Sequence, residues 1–325
     1  MNPRRTALVL SATAMLGAGV CVAQFQQRGG FRGGPPPEPG PGNYAWSEGS
    51  GWINEDTVRT ARETMSHSTG TPNWTNEPAF TKDVFTFTRI IFKIDPNRPA
   101  FGLGRNFARR LGWWVDYPDA DLNFSYRLQQ LTSAKTDPDA RVLKLTDPAL
   151  RSQPMIYMEH PGYMVLREDE VLALRNYLLN GGVLFVNDFW SQPEWDGFAA
   201  QMQRVLPGRK WTELGTDHPV FHFVFPMHGP MNSFQVPTIQ FWNPSHDPRD
   251  PGSRLQFRDR GEGSEDMHVR AWHDDKGRIM VFVIHNSDVS DGWEREGENS
   301  TYFQKFSEKI AYPFGMNIVF YLMTH

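Results

Sequence analysis

One cysteine in 325 residues is almost none, and Cys21 lies where it is not expected to stay. Arg4 and Arg5 precede an apolar stretch from Thr6 to Val20, and Cys21-Val22-Ala23 follows as a small-x-small cleavage pattern, the order of an export signal. Cleavage after Ala23 removes the only thiol. A thiol-free mature chain excludes disulfides, thiolate metal sites and cysteine nucleophiles together, and it suits an oxidising compartment. A lasting membrane anchor is the competing reading of the same stretch, but 15 residues fall short of the roughly 20 that cross a bilayer. The expected location is therefore periplasmic or secreted, with no transmembrane segment after signal removal, and the arginine pair leaves Sec and twin-arginine export both open. Charge of one sign is also lacking: 37 acidic and 33 basic residues are interspersed and the formal net charge is −4. No basic patch announces nucleic acid or an anionic membrane as a partner.

What is present is a globular domain. Apolar residues make up 39% and aromatics 13%, enough to fill a substantial core. The signal at 1–23 is followed at 24–43 by a Gly-, Pro-, Gln- and Arg-rich stretch that cannot offset its ordering entropy and reads as a disordered tether. Residues 44–83 read as an N-terminal extension with a weak helical pattern from Asp56 to Met65, and the main domain spans 84–325. Within it strand and helix patterns alternate: strands at Phe85–Ile94, Arg141–Leu145, Met155–Met158 and Val183–Val186, with helices at Asp121–Thr132, Glu168–Leu179 and from about Trp195 to Val205. In the Glu168–Leu179 helix, Val171, Leu172, Leu174 and Leu178 read as one face, and Gly181-Gly182 stops it. A strand at Trp211–Leu214, a Pro-, Asp- and Gly-rich insertion at 226–266, a hairpin of Met267–Trp272 with Arg278–Ile284, and a helix at Pro313–Met323 complete the chain. The pattern predicts an α/β fold, a three-layer α/β/α sandwich around a mostly parallel sheet.

Ligands of open α/β sheets bind beyond the carboxyl ends of the strands, so the residues that follow each strand are the candidates. Four such places are polar: Asp116-Tyr117-Pro118-Asp119-Ala120-Asp121-Leu122-Asn123, Glu159-His160, Asn187-Asp188, and His285-Asn286-Ser287-Asp288 with Asp291-Gly292-Trp293 beyond. Asp188, Glu159 and His160 are the candidates for acid, base or nucleophile. Asp116, Tyr117, Asp121, Asn123, Asn187, Trp190, His285 and Asp288 are the candidates for ligand contact. Each has a plain structural alternative, and helix capping is the competing role for Asp119, Asp121 and Asp188. The oxygen-rich run from His285 to Asp291 lacks the glycine and glutamate that a calcium loop places at its sixth and twelfth positions. His218, His222 and His228 surround a proline and a turn, which reads as hydrogen-bonded loop histidines rather than a zinc site. No metal and no cofactor is expected.

Several of these segments, with others, carry a resemblance. Trp114-Val115-Asp116-Tyr117-Pro118, Asp121-Leu122-Asn123, Arg127-Leu128, Leu145-Thr146-Asp147, Tyr177-Leu178 with Gly181-Gly182, Asp188, His218-Pro219-Val220-Phe221-His222, Asp291-Gly292-Trp293-Glu294 and Gly315-Met316-Asn317-Ile318-Val319 with Tyr321 together resemble the bacterial domain of unknown function 4159 family. The resemblance runs from about Phe85 to Thr324. It implies a flavodoxin-like fold similar to class I glutamine amidotransferases and trehalose-utilisation-like proteins, and no settled activity. In amidotransferases a helix, Gly-Gly and a strand lead to a nucleophilic cysteine. Here Asp188 holds that place, and Val186 and Trp190 replace the glycines that let the turn tighten, so glutamine hydrolysis is not expected. The expectation is a module that binds a ligand or an envelope protein. A hydrolase of carbohydrate or envelope polymer, acting through Asp188, Glu159 and His160, is the alternative.

Overall fold

Met155-Ile156-Tyr157-Met158, Val183-Leu184-Phe185-Val186 and Ile279-Met280-Val281-Phe282-Val283-Ile284 are apolar at consecutive positions, as strands covered on both faces must be. In the computed structural model all three lie in one seven-stranded sheet. The structure describes residues 36–47, 49–80, 83–97, 111–240, 242 and 263–325. The expected export signal, most of the expected tether and the middle of the 226–266 insertion lie outside the described residues. Contacts divide the chain into Met1–Glu38 and Pro39–His325, and the elements below belong to the second unit.

That unit begins with an antiparallel hairpin, β1 (Tyr44–Ser47) and β2 (Gly51–Asn54). Trp46 faces Trp52 across it with ring centroids 5.1 Å apart, a cross-strand aromatic pair of the kind that stabilises ribbons. The helical pattern expected at Asp56–Met65 yields only a short 3₁₀ turn, Ala61–Glu63. The main sheet is built from β3 (Thr88–Ile91), β5 (Arg141–Lys144), β6 (Met155–Glu159), β8 (Val183–Asn187), β9 (Trp211–Glu213), β10 (His268–His273) and β11 (Ile279–His285). The expected first strand, Phe85–Ile94, is divided. Thr88–Ile91 joins the sheet, and β4 (Lys93–Ile94) pairs instead with β7 (Met164–Val165).

The strand order is β5-β3-β6-β8-β11-β10-β9. The first five run parallel, whereas β10 is antiparallel to both of its neighbours. From β3 the chain passes through α1 (Asp119–Leu131) to β5 on one side; from β6 it passes through α2 (Glu168–Leu179) to β8 on the other. Right-handed crossovers in opposite directions put α1 and α2 on opposite faces of the sheet. Accordingly α2 packs with α3 (Ser191–Val205), while α1 packs with α4 (Asp291–Glu294) and the C-terminal helix. A helical turn, α5 (Ser300–Tyr302), runs through a π-helical stretch, Phe303–Ala311, into α6 (Tyr312–Thr324). Along α2, Val171, Leu174 and Leu178 are buried as expected, but Leu172 is exposed because it falls off that face.

Two local devices aim the strand ends. Gly181 ends α2 at φ 103°, a conformation that glycine adopts freely, and a Cβ on Gly182 would lie 2.3 Å from the Tyr177 ring. The Gly-Gly pair thus lets the helix close tightly onto β8. On α4, Trp293 is fully buried with its ring 4.4 Å from Phe124 and within 6.5 Å of Phe87, Tyr157 and Phe185. It fixes the short helix against β6 and β8.

Arg89 on β3 is buried completely. Its Nε donates to both oxygens of Asp121 at 3.0 Å, and Nη1 donates to the Trp113 and Val115 carbonyls at 2.9 Å each. One side chain therefore ties β3 to α1 and to the loop that carries Asp116. Removing one partner of a buried ion pair leaves the other charge uncompensated, which costs about 3–5 kcal/mol. Arg89→Met is expected to lower the unfolding free energy by that amount in urea titration, and the double variant Arg89→Met/Asp121→Leu to recover much of it. A loss under about 1 kcal/mol would show that the pair is not what holds this loop.

Candidate functional site

The turns leaving three strands, and the loop entering α1, each contain a non-glycine residue in the left-handed region. These are Asp116 (φ 58°), His160 (φ 51°), Asp188 (φ 50°) and Asn286 (φ 61°). Asp and Asn tolerate that conformation through local hydrogen bonds, but holding four such residues together requires a scaffold that over-determines them. The turn after β8 tightens in this way at Asp188 although no glycine flanks it. All four residues lie at the carboxyl edge of β3, β6, β8 and β11, and the strand order reverses between the first two of these.

The turns bring four carboxylates together. One oxygen from each of Asp116, Glu159, Asp188 and Asp288 lies within 4.8 Å of the others, and all four residues are buried. Three of them have hydrogen-bond donors. Glu159 accepts from the Tyr157 hydroxyl and from Ser290 Oγ at 2.8 Å, with Arg89 Nη1 at 3.8 Å. Asp288 accepts from Thr238 Oγ1 and from the Asp291 backbone N–H, both at 2.9 Å. Asp188 accepts from Trp190 Nε1 at 2.7 Å and meets His160 Nδ1 at 3.3 Å. Asp116 differs: its Oδ2 has no hydrogen-bond partner among the described residues, although the residue is only 6% exposed.

Asp116 also belongs to a second group with Asp291 and Glu294. That group has its own cation. Arg295 Nε lies 3.3 Å from Asp291 and is ion-paired with Glu294, while His67 Nδ1 lies 3.0 Å from Glu294. His67 comes from the N-terminal extension, where Asp119 accepts from Ser66 Oγ and from the His67 backbone N–H. The extension is thus part of the wall.

The other expected residues divide. Asn187 stands at the chamber edge, donating to Ser290 Oγ at 2.8 Å, and Trp190 braces Asp188. His160 sits between Asp188 and Glu194, with Nε2 3.8 Å from the latter. Tyr117 is buried and donates to the Thr60 carbonyl at 2.9 Å, and Asp121 is held by Arg89. Neither Asp119 nor Asp121 caps α1, whose N-cap is Pro118. Asn123 lines a separate surface cleft of about 340 Å³ with Tyr126, Arg127 and Glu296. His285 is packed between Phe189 and Trp195 and contacts the Ser191 carbonyl and Arg270, and burial pushes its pKa down to about 3. It is a core histidine. Asp291 lies in the polar run noted after the last strand, whereas Glu294, Ser290 and Arg295 were not among the candidates. The three-residue spacing of Asp288, Asp291 and Glu294 was the available signal, since a single helical turn brings such positions to one side.

Burial dominates the electrostatics. It raises Glu159 to about 8 from an ordinary 4.5, with Arg89 opposing and Asp188 adding to the rise. It also pushes Asp116 and Asp288 well up, and for both the neighbouring carboxylates add to the effect. A carboxyl raised in the fold stays protonated while the unfolded chain ionises. Its stabilising contribution is complete below the unfolded pKa and is lost as pH rises through the folded one. Thermal melts of the chelator-treated protein are expected to fall progressively from about pH 4.5 to about pH 8. Asp288→Asn should flatten that slope, and a melting temperature that instead rises across the window would contradict the arrangement.

The domain of unknown function DUF4159 matches residues 107–323, two thirds of the chain, and the chain belongs to that family. No curated protein matches it. Among the described residues no helix is long and apolar enough to cross a membrane.

Proposed function

We propose that this DUF4159 member is an exported binding module that takes a small cationic ligand into the chamber of Asp116, Glu159, Asp188 and Asp288. The observation that carries the reading is the convergence of four buried carboxylates within 4.8 Å at the carboxyl ends of the parallel strands. Like charges so close in a dry site repel strongly, and a bound cation removes that cost. The five parallel strands, numbered along the chain, lie in the order 2-1-3-4-5. This order supports a flavodoxin-like sheet, whose ligands bind where the order reverses. Asp188 at the tight turn after β8 supports an amidotransferase-like ancestry without amidotransferase chemistry, since a carboxylate cannot form the thioester.

A hydrolytic reading has one geometric point in its favour. Glu159 and Asp188 are close enough for the roughly 5 Å separation of a retaining glycosidase pair. Their burial argues against it, because Glu159 is 0% and Asp188 2% exposed and a sugar ring needs room between them.

The test is a thermal-shift panel at pH 8 on chelator-treated protein, with divalent metal ions in one arm and organic ammonium compounds in the other. One class is expected to raise the melting temperature of the wild type. Asp188→Asn is expected to melt higher than wild type without any cation, because a repulsion is relieved, and to lose the cation response. A panel without any shift would remove the reading, as would turnover of a glycan or ester that Asp188→Asn abolishes. Export is tested separately by sequencing the N-terminus of the mature protein from a bacterial host. Gln24 is the expected first residue, and an intact Met1 would rule export out.

A further inference from the structure

We infer that the chamber is a mononuclear binding site for a calcium-sized divalent metal ion, with the Asp116 carboxylate as the ligand held in reserve for it. The inference rests on the cationic-ligand reading and names the ligand. The donors that converge are carboxylate oxygens alone, from Asp116, Glu159, Asp188 and Asp288. Hard oxygen sets select calcium, magnesium or manganese over zinc or copper, which favour imidazole or thiolate. Four protein carboxylates make an all-protein cage. Calcium accepts such cages at 2.3–2.6 Å, so ligands on opposite sides of one ion stand about 5 Å apart, in keeping with the span here. Magnesium holds its water and demands a tighter octahedron, which makes it the weaker candidate.

The second, independent observation is the orphaned Asp116 oxygen. Buried carboxylate oxygens in folded proteins have partners, and one without any calls for an ion, a water or a role. Asp116 Oδ2 lacks a partner among the described residues, and Asp116 is the member common to both carboxylate groups. Arg295 decides which group takes the ion. Its guanidinium already lies against Asp291 and Glu294, so that side of Asp116 is compensated from within the chain. The side facing Glu159, Asp188 and Asp288 has hydroxyl and indole donors and the His160 imidazole 3.3 Å from Asp188, but no guanidinium in direct contact among the described residues, the nearest arginine nitrogen of Arg89 lying 3.8 Å from Glu159.

Terbium luminescence reads the site directly. Tb³⁺ replaces calcium in oxygen cages and is sensitised by a nearby indole, and Trp190 donates to Asp188 from within the chamber wall. Full-length protein, stripped with chelator, is titrated with Tb³⁺ under tryptophan excitation and then back-titrated with Ca²⁺ or Mg²⁺. The expected result is saturation at one ion per chain, with Ca²⁺ displacing Tb³⁺ at concentrations roughly tenfold or more below those of Mg²⁺. Asp116→Asn keeps the shape and breaks no hydrogen bond between the Asp116 side chain and a described residue. It is expected to weaken Ca²⁺ binding by roughly tenfold or more while the circular dichroism spectrum is unchanged. Asp288→Asn provides a second variant should the first fail to fold. Absence of sensitised emission, or unchanged binding in both variants, would overturn the metal assignment. If an organic ammonium ion then shifts the melting temperature, the cationic-ligand reading survives that failure; if nothing does, both fall.

Discussion

Everything at the carboxyl edge of this sheet depends on keeping buried negative charge in balance. Six carboxylates, Asp116, Glu159, Asp188, Asp288, Asp291 and Glu294, share one buried region. Two like charges about 4 Å apart repel by roughly 4 kcal/mol at the effective dielectric of a protein. A domain has only about 5–15 kcal/mol of net stability, so the full set cannot remain ionised without positive charge or protons. Arg295 serves one end of the region and Arg89 touches the other, but Arg89 is committed mainly to Asp121. The chamber between them is where compensation must come from protons or from a bound cation.

The scaffold explains why the arrangement persists. Strands covered on both faces by helices give rigid ends, and the reversal between β3 and β6 opens a crevice at those ends. Trp293 locks α4 into the aromatic core, which sets the height of Asp291 and Glu294. Arg89 sets the position of Asp116 through the Trp113 and Val115 carbonyls. Left-handed residues at four turns are costly, of order 1–3 kcal/mol each for residues that do not favour the region, and such strain is tolerated where side-chain direction matters.

Much of this was legible in the sequence, and the failures have identifiable causes. The α2 helix, Gly181-Gly182 and β8 were readable because each rule involved acts locally, and the helix spans Glu168–Leu179 as expected. Glu159 and Asp188 were found because polar residues ending apolar strands stand out, and Asp288 because it follows the last one. Arg89 was passed over since a lone arginine in a strand announces nothing until Asp121, 32 residues away, is known to face it. The same long-range pairing turned Asp121 from a ligand candidate into a structural partner. His285 reads identically to His160 in sequence, each just at the end of a strand. Only packing separates them: aromatic rings and Arg270 enclose His285, whereas His160 turns toward Asp188. The hairpin of Tyr44–Asn54 was missed because its aromatic pairing outweighs a weak local pattern.

On the proposed reading, protons held by the raised chamber carboxyls leave when a cation binds. The direct measurement is calorimetric titration of Ca²⁺ into chelator-stripped protein at near-neutral pH, repeated in buffers of different ionisation enthalpy, which counts the protons released per ion. Release of about one proton or more per ion bound is expected, diminishing as pH rises through the raised pKa of Glu159, about 8. Binding that releases no proton at neutral pH would contradict it, as would a chamber that takes up no cation at any pH.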